Sequence, residues 1–530
     1  MQSQSSLYTS RKVSTLGFLL LLSAISLAIF YILYLFLLSH IWGDQAFLLY
    51  AAKQVLAGVK LDSARLIETN PPLIVWFSEI PVVVAQILHI SPVVALRIVT
   101  LSLISASTVW CGRQLRIARI GDRLEVSPLL LIALVGIAEL TIQPAMFGQR
   151  EQLMVALLMP YVLSVSTGSI RSLHIAECCV IGLCASLGVC FKPQQLLTLI
   201  CFELFLILYH RSLRHLLSLE FIVAVVTGIL YVGYVWMCTP YLSVIVRLLR
   251  DTYWALGERT WSGILLRDGR LLFALLLFTV IGWLSLRTRI RAPLLSGALL
   301  ACSVGASLAF CVQHTGWSYQ SFPAKAFLYV TIVTILLDTL STRYQYNLRC
   351  VWCGKVAYVS VIAVALITLA AVAAIGKRAQ AQRQDKISSE LESLPQGTGV
   401  YFFSIEMTQF PAILDRQLVW GSRFAHLWML PAIIQNETPR MDKNRPFKAL
   451  STQRTEELAA MQREATAEDL RRWKPQYVFV ERCADSPPCE VYNHPIKLIA
   501  WFSKNSAFAT EWANYRFDKS IDNFNLFVRN

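Results

Sequence analysis

The stretch that decides the fold runs over residues 16–45, LGFLLLLSAISLAIFYILYLFLLSHIWGDQ. Its apolar part, Leu16 to Leu38, is long enough to cross a hydrocarbon core about 30 Å thick. It follows the basic pair Arg11 and Lys12, and no small-residue cleavage site comes after it, so we interpret it as an uncleaved membrane anchor. The stretch ends in Gly43-Asp44-Gln45, which puts a carboxylate just where the chain is predicted to leave the bilayer.

The same pattern recurs along the chain. Of its 530 residues, 55% are hydrophobic and 15% are charged, with a mean hydropathy of +0.53. A soluble protein has roughly 25% charged residues. The deficit lies before Ile375, where apolar runs alternate with short basic loops. We therefore predict a polytopic α-helical membrane protein that carries a polar tail.

The basic residues report on orientation in the membrane. A net charge of +15 would suit nucleic acid, but the arginines and lysines lie in short loops between apolar runs. No basic stripe alternates with exposed aromatic residues, so we expect no nucleic-acid partner. The run from Pro71 to Ile90, which contains Glu79 and Pro81, either spans the membrane or lies on its outer surface. Surface placement leaves the later basic loops in the cytoplasm, and the positive-inside rule favours it.

This orientation predicts about eleven transmembrane helices, with the amino terminus in the cytoplasm. They are expected roughly at 16–40, 93–112, 126–143, 152–168, 174–190, 195–209, 216–238, 271–286, 293–312, 322–340 and 355–376. Residues 1–376 then form a transmembrane domain, whose external loop at 41–91 bears interfacial helices. Residues 377–530 form a soluble extracytoplasmic domain. We place the chain in a bacterial inner membrane, with this domain in the periplasm.

The tail is predicted to be a small α/β domain. Strand-like runs at 400–403 and 477–480 flank helical patterns near 405–415 and 452–473. Most of the 13 cysteines lie in apolar runs, but Cys483 and Cys489 bracket a polar Ala-Asp-Ser-Pro-Pro turn. A disulfide between them would suit an oxidising compartment. Metal binding is the weaker interpretation, because no histidine or second cysteine pair nearby has ligand spacing.

Asp44 has a structural and a catalytic interpretation. It is predicted to cap a helix over 44–57 that lies in the membrane interface, and a cap is worth about 1 kcal/mol. A carboxylate at the bilayer surface is also placed to take a proton from an acceptor hydroxyl. Both roles are compatible, since capping needs one oxygen. The segment Glu68-Thr69-Asn70-Pro71-Pro72 is either a plain extended connection or a rigid mount that aims the Asn70 amide at a sugar or phosphate.

Further polar residues gather in three outer turns. They are Gln149, Arg150 and Glu151; Lys192; and Gln313, Trp317 and Tyr319. Their ordinary interpretations are an interfacial ion pair, a snorkelling lysine and an aromatic belt. If the turns converge, Arg150 and Lys192, with Arg247 and Arg250 of another outer loop, form a basic cavity for a lipid phosphate. The apolar run before the first turn contains Glu139, whose predicted partner is Arg150 or another cation.

No motif of a soluble enzyme competes with this interpretation. The sequence has no P-loop, no nucleotide-binding glycine fingerprint after a strand, no HExxH and no CxxC pair. A sugar-transfer enzyme that works outside the cytoplasm would therefore need a lipid-linked donor rather than a nucleotide sugar.

The polar positions together resemble the GT-C superfamily of membrane glycosyltransferases. The similarity is to the branch of protein O-mannosyltransferases and lipid A aminoarabinose transferases, over about residues 15–340. It rests on Gly43-Asp44-Gln45, Leu56-Ala57-Gly58, Glu68-x-Asn70-Pro71-Pro72-Leu73, Gln149-Arg150-Glu151, Lys192 and Gly316-Trp317-x-Tyr319. The resemblance implies transfer of a sugar from a polyprenyl-phosphate carrier to a glycan, lipid or protein acceptor on the non-cytoplasmic face.

The resemblance also implies roles for the residues. Asp44 would be the general base, and Arg150 and Lys192 would stabilise the departing phosphate, with Arg247 or Arg250. Glu68 and Asn70 would orient the sugar or the acceptor. Many members have a second acidic residue after the loop aspartate, and this chain has Gln45, so we expect no metal and no cofactor. The alternative function is a transporter or flippase of lipid-linked glycans without enzymatic activity.

Overall fold

The computed structural model describes residues 23, 25–36, 40–124, 128–346, 386–438, 447–483 and 496–530. The chain divides into two compact units. The membrane unit comprises Met1–His40, Arg97–Tyr231 and Ile264–Ala379. The loop–tail unit comprises Ile41–Leu96, Val232–Gly263 and Gln380–Asn530. The predicted domain boundary at residues 376 and 377 lies outside the described residues and stays a prediction.

Apolar helices dominate the chain before the tail. They are α1 (Ile25–Phe36), α2 (Gly43–Leu56), α3 (Pro72–Leu88), α4 (Pro92–Ile117), α5 (Ile120–Leu124), α6 (Pro128–Leu140), α7 (Arg150–Thr167), α8 (Ile175–Phe191), α9 (Leu196–His210), α10 (Leu219–Cys238), α11 (Val246–Thr252), α12 (Arg270–Leu286), α13 (Pro293–Val312) and α14 (Phe322–Tyr346). Every predicted span from 93–112 to 322–340 coincides with one of them. The span at 355–376 lies outside the described residues.

The membrane character of the chain follows from the length and composition of these helices. Five segments are long and apolar enough to cross a membrane: Pro92–Ile117, Pro193–His210, Leu219–Cys238, Pro293–Val312 and Ser318–Thr339. Five shorter apolar helices accompany them within the described residues, among them α3. The prediction of a polytopic helical membrane protein is therefore confirmed. The count of about eleven spans is not confirmed.

Small residues let the helices of the membrane unit approach one another. A Cβ atom at Gly305 of α13 would overlap the backbone of Leu197 and Thr198, so glycine is what permits the close packing of α13 on α9. On its other side α13 packs on α14, where Ser303 Oγ donates a 2.9 Å hydrogen bond to the Ala324 carbonyl. Asp338 of α14 accepts from the Ala292 N–H at 2.9 Å and so satisfies the start of α13.

The tail is a small α/β domain, as predicted. Its sheet has the order β2-β1-β3-β5-β4, with β1 and β3 parallel and β4 and β5 antiparallel. The strands are β1 (Gly399–Phe403), β2 (Val419–Trp420), β3 (Tyr477–Glu481), β4 (Tyr515–Ile521) and β5 (Phe524–Arg529). The helices are α15 (Lys386–Ser393), α16 (Phe410–Asp415), α17 (Leu430–Glu437), α18 (Thr452–Trp473), α19 (Leu498–Phe502) and α20 (Ser506–Trp512). Phe402 and Phe479 stack at 4.3 Å between ring centroids in its core.

Helix α2 packs on this tail within the loop–tail unit. Phe47 of α2 meets Phe410 of α16 at 4.9 Å between ring centroids, and the Trp420 N–H donates to the Tyr50 hydroxyl at 3.2 Å. Residues 45–52 of α2 are all buried. The sequence predicted one apolar face lying in the membrane interface, whereas protein surrounds this part of the helix because the tail covers it. Cys483 is disulfide-bonded, and its predicted partner Cys489 lies outside the described residues.

Candidate active site

The turn before α7 carries the first group of predicted site residues. Gly148 has a φ of +87°, and the turn then passes into α7 at Gln149 and Arg150. Gln149, Arg150 and Glu151 are 1%, 8% and 0% exposed. Both polar atoms of the Gln149 amide are buried with no hydrogen-bond partner among the described residues. Buried amides are usually satisfied, so this one marks a candidate ligand-binding position.

Lys192 at the end of α8 reaches the same turn. Its ammonium group pairs with Glu151 Oε1, and both side chains are more than nine-tenths buried. The other Glu151 oxygen has no partner among the described residues. The Lys192 ammonium also lies 5.3 Å from the centroid of the Tyr319 ring, within range of a cation–π interaction. Tyr319 in turn stacks on Trp317 at 5.9 Å. The structure therefore brings three predicted turns together within the membrane unit.

Contacts from neighbouring segments fix this cluster. The Tyr31 hydroxyl of α1 donates a 2.6 Å bond to the Ile142 carbonyl, just before the turn that ends at Gln149. Ser318 Oγ donates to Gln143 Oε1 at 3.4 Å, which ties the last turn to the first. Gln313 has a local role, because its Nε2 donates to the Ala309 carbonyl at 2.8 Å. We call Gln149, Glu151, Lys192, Trp317 and Tyr319 the buried polar cluster.

One predicted contact of this region is wrong. Glu139 of α6 is fully buried, and the sequence predicted a cationic partner such as Arg150. Its carboxylate accepts instead from Ser107 Oγ at 2.7 Å and Thr108 Oγ1 at 3.3 Å, both on α4. Two hydroxyl donors supply the hydrogen bonds that a buried carboxyl group needs, and hydroxyls cost less to bury than a second charge. Arg150 therefore does not serve Glu139.

Asp44 lies in the first turn of α2 but does not cap it. The helix begins at Gly43, its N-cap is Trp42, and the Trp42 N–H donates to Gln45 Oε1 at 3.3 Å. The prediction that Asp44 caps a helix over 44–57 is therefore wrong by about one position, because the Gln45 side chain provides the cap bond. Asp44 is half-buried in the first turn, at the positive end of the helix dipole.

Close packing explains the residue before Asp44. A Cβ atom at Gly43 would overlap the carbonyl of Met407 in the tail, so only glycine fits there. The tail thus sets the position of the helix end that carries Asp44. This long-range contact is invisible in the sequence motif.

Glu68 and Asn70 form one local unit. Glu68 is 2% exposed, and its Oε1 accepts from the Asn70 backbone N–H at 2.9 Å and from Asn70 Nδ2 at 2.6 Å. The side-chain amide nitrogen of Asn70 therefore already donates a hydrogen bond to Glu68 in this structure. The Tyr241 hydroxyl donates to the Thr69 carbonyl at 3.2 Å and holds the segment in place. The hydrogen bonds between Glu68 and Asn70 hold the backbone just before Pro71-Pro72, and both side chains also carry polar atoms that suit a sugar or an acceptor.

Asp62 is a candidate that the sequence did not single out. Its Oδ1 accepts from the Glu68 N–H at 3.3 Å. Burial, reinforced by the neighbouring Glu68 carboxylate, raises the pKa of Asp62 to about 7. Asp62 also adopts a φ of +55°, which is uncommon outside glycine. Leu61-Asp62-Ser63 reads as an ordinary surface turn, so only the fold reveals the proximity to Glu68.

Arg247 and Arg250 lie in the loop–tail unit. Arg247 is exposed, and the Arg250 guanidinium pairs with Asp251 at 3.2 Å. Asp251 also pairs with Arg454 of α18 at 3.1 Å. These contacts join α11 to the tail, and a role for the two arginines in phosphate binding stays a prediction. Within the described residues, no group of three or more His, Cys, Asp and Glu side chains is arranged to hold a metal ion.

Comparisons with known proteins identify the fold. No family model matches the sequence, and no curated protein matches it significantly. ArnT from Cupriavidus metallidurans, solved bound to undecaprenyl phosphate, is 12% identical with a TM-score of 0.51 and covers 95% of this chain and 97% of its own. The apo form of the same protein is also 12% identical, has the same TM-score of 0.51, and covers 95% and 96%. The chain therefore shares the fold of these ArnT structures.

The match to ArnT covers 95% of this chain, so most of the tail is included in it. An oligosaccharyltransferase from Archaeoglobus fulgidus is 11% identical with a TM-score of 0.48, and the match covers 96% of this chain and 74% of that one. At such low sequence identities, the comparisons show the fold alone. A shared fold does not fix the chemistry, which depends on the site residues of this chain.

Proposed function

We propose that the protein is an integral membrane glycosyltransferase that moves a sugar from a polyprenyl-phosphate donor to a cell-envelope acceptor. The observation that carries this proposal is the buried polar cluster around Gln149, Glu151 and Lys192. Desolvated polar groups cost free energy until a partner satisfies them, and a phosphate oxygen suits both an amide N–H and an ammonium. ArnT, which shares the fold, was solved bound to undecaprenyl phosphate. The proposal includes a bacterial inner membrane and a periplasmic tail.

The lipid phosphate is the leaving group, and Lys192 stabilises its charge. Glu151 holds the Lys192 ammonium group in place and neutralises it while the site is empty, which lowers the cost of burying a cation. When a phosphate arrives, Lys192 shares its three donor hydrogens between Glu151 and the phosphate. The Gln149 amide and Arg150 supply further donors, and Tyr319 with Trp317 forms the apolar wall beside them.

Asp44 is the proposed general base. An acceptor hydroxyl attacks the anomeric carbon, and its proton passes to the Asp44 carboxylate as the new C–O bond forms. The bond from the anomeric carbon to the phosphate oxygen breaks, and its electron pair leaves with the polyprenyl phosphate. Attack opposite the leaving group inverts the anomeric centre. Gln45 has no carboxylate, and its side-chain oxygen accepts a hydrogen bond from the Trp42 N–H. The proposed mechanism therefore includes no metal at this position.

The proposal is tested by transfer with purified protein in nanodiscs. The donor is undecaprenyl phosphate carrying a radiolabelled sugar, and the acceptors come from envelope extract of the source cell. We expect Asp44→Asn to lower turnover by about 10²–10⁴-fold, with donor binding unchanged. Asp518→Asn, an exposed aspartate on β4, is the matched control. Unchanged turnover in Asp44→Asn would remove the proposed base, and movement of lipid across the membrane without transfer would favour the transporter.

A further inference from the structure

A cavity in the loop–tail unit has no role in the mechanism above. Its volume is about 340 Å³, within the range of small-ligand sites, and it opens between the second half of α2, the turn after α16 and the end of α18. Ile413, Leu414 and Leu418 form an apolar floor. Its polar lining comes from both the first external loop and the tail: Lys53, Gln54, Arg65, Gln417 and Trp473.

The charge of this cavity is positive. Lys53 and Arg65 are both exposed, and no carboxylate occurs among the described residues that line it. Arg472 adds a third cation beside the cavity, since its guanidinium lies 5.3 Å from the Trp473 ring centroid and donates to the Ala64 carbonyl. That bond ties the segment carrying Arg65 to the end of α18. A guanidinium and an ammonium group facing one cavity suit a carboxylate or phosphate group.

The remaining lining suits a sugar ring. Trp473 is half-buried and presents an indole, whose apolar face matches the C–H face of a pyranose. Gln54 and Gln417 supply side-chain amides near it. Gln396 Nε2 donates to Gln417 Oε1 at 2.6 Å, which leaves the Gln417 amide nitrogen as a donor for a hydroxyl group. An aromatic face with amides and cations around it is a chemical match for an acidic sugar.

The cavity is separate from the proposed base. Lys53 and Asp44 lie on the same helix, displaced by roughly 13 Å along its axis and by about half a turn around it. A group bound beside Lys53 therefore belongs to a part of the ligand that does not react. A ligand that reaches both places must contain several sugar units.

We propose that this cavity binds an anionic sugar unit of the acceptor, remote from the hydroxyl that is glycosylated. This inference rests on the proposed function only in calling the ligand an acceptor, because binding to the cavity does not require sugar transfer. The acceptor is then an acidic oligosaccharide or glycolipid, and the tail and the first loop select it together. Because the bound unit does not react, the cavity contributes to acceptor affinity rather than to the chemical step.

The first test measures binding directly, without donor, by calorimetry on the full chain in nanodiscs. The probes are hexagalacturonate, pentamannose 6-phosphate, neutral maltohexaose and inorganic phosphate. We expect one acidic oligosaccharide to bind at least tenfold more tightly than maltohexaose and phosphate, and the better one identifies the anionic group. Equal binding of maltohexaose would overturn the role of charge. Equally tight binding of inorganic phosphate would overturn the role of the sugar.

Variants assign the binding to this cavity. We expect Lys53→Gln and Arg65→Gln each to raise the Kd of the acidic oligosaccharide about five- to tenfold, and both side chains are exposed, so folding is unaffected. Lys60→Gln, an exposed lysine of the same loop outside the cavity lining, is the matched control. Trp473→Phe is expected to keep binding and Trp473→Ala to lose it, with circular dichroism as the check on folding. An unchanged Kd in both charge variants would place the ligand elsewhere and sink the inference.

Failure of this inference and failure of the proposed function give different results. Acidic-sugar binding that depends on Lys53 and Arg65, without any sugar transfer, would remove the glycosyltransferase proposal alone. Transfer with wild-type KM for an acidic acceptor in Arg65→Gln would remove the cavity proposal alone. If both hold, the charge variants raise KM and leave kcat unchanged.

Discussion

The pair of Lys192 and Glu151 allows a structural role to be separated from a functional one. Glu151 is fully buried and Lys192 is 6% exposed. Lys192→Gln would leave a buried carboxylate without its cation, which typically costs about 3–5 kcal/mol. The double variant Lys192→Gln with Glu151→Gln removes both charges, and replacing a buried pair by neutral groups is often close to neutral in stability. We therefore expect the single variant to be unstable and the double variant to recover most of that loss.

Activity is expected to follow a different order. The double variant keeps the shape of the buried polar cluster but lacks the ammonium group, so the phosphate loses its charged donor and turnover stays at least about 10²-fold below wild type. Stability is measured as the midpoint of thermal unfolding in detergent, and turnover by the donor assay above. A donor-binding measurement on the double variant shows whether the loss lies in phosphate affinity or in the chemical step.

The exposed pair of Arg113 and Glu177 provides the matched control. It is also an ion pair in the membrane unit, but Arg113 is 47% exposed. Arg113→Gln should therefore change stability by no more than about 1 kcal/mol. The reasoning is refuted if Lys192→Gln alone is as stable as wild type. Wild-type turnover in the double variant would refute the role of Lys192 in phosphate binding.

Two further perturbations test the loop–tail unit. Gly43→Ala puts a methyl group against the Met407 carbonyl, so we expect a loss of about 1–3 kcal/mol and lower turnover, whereas Gly233→Ala, with open space around it, should be neutral in the thermal-unfolding assay. Burial raises the pKa of Glu481 to about 7, although Ser404 donates to it at 2.8 Å. Because the pKa of Glu481 is higher in the folded than in the unfolded protein, its protonated carboxyl group favours the folded state, fully so below the ordinary pKa near 4.5. This stabilisation is lost as the pH rises through about 7. Glu481→Gln should therefore stabilise the protein by roughly 1–3 kcal/mol at pH 8 and little at pH 4. A pH-independent effect of that variant would contradict the assignment.

Local patterns predicted the elements well, because each pattern is a property of neighbouring residues. The apolar runs became helices within a few residues of the predicted bounds, and the runs at 400–403 and 477–480 became parallel strands. The Trp473 end of α18 was also predicted, since an amphipathic pattern ends there. The start of α2 was missed by about one position, because either of two adjacent side chains, on Asp44 or Gln45, is able to supply the first cap bond.

Partners of buried charges were harder to predict from the sequence. A buried carboxylate needs hydrogen bonds, but composition does not say whether hydroxyls or a cation will supply them. Glu139 of α6 accepts hydrogen bonds from Ser107 and Thr108 of α4, whereas the carboxylate that pairs with a cation is that of Glu151. The sequence did not single out Asp62, because its pKa is raised by burial, which depends on the tertiary structure.

The sequence by itself determined that this is a helical membrane protein with polar turns between its apolar helices and an α/β tail, because hydropathy and periodicity are read over short windows. It also supplied Asp44, Lys192 and the other candidate residues, as positions in those turns. Only the tertiary structure decided which of them meet. The pairing of Glu151 with Lys192, the seating of Gly43 on Met407 and the cavity of Lys53, Arg65 and Trp473 all join segments far apart in the chain. Such contacts depend on how packed helices and the tail exclude water, and no short stretch of sequence contains that information.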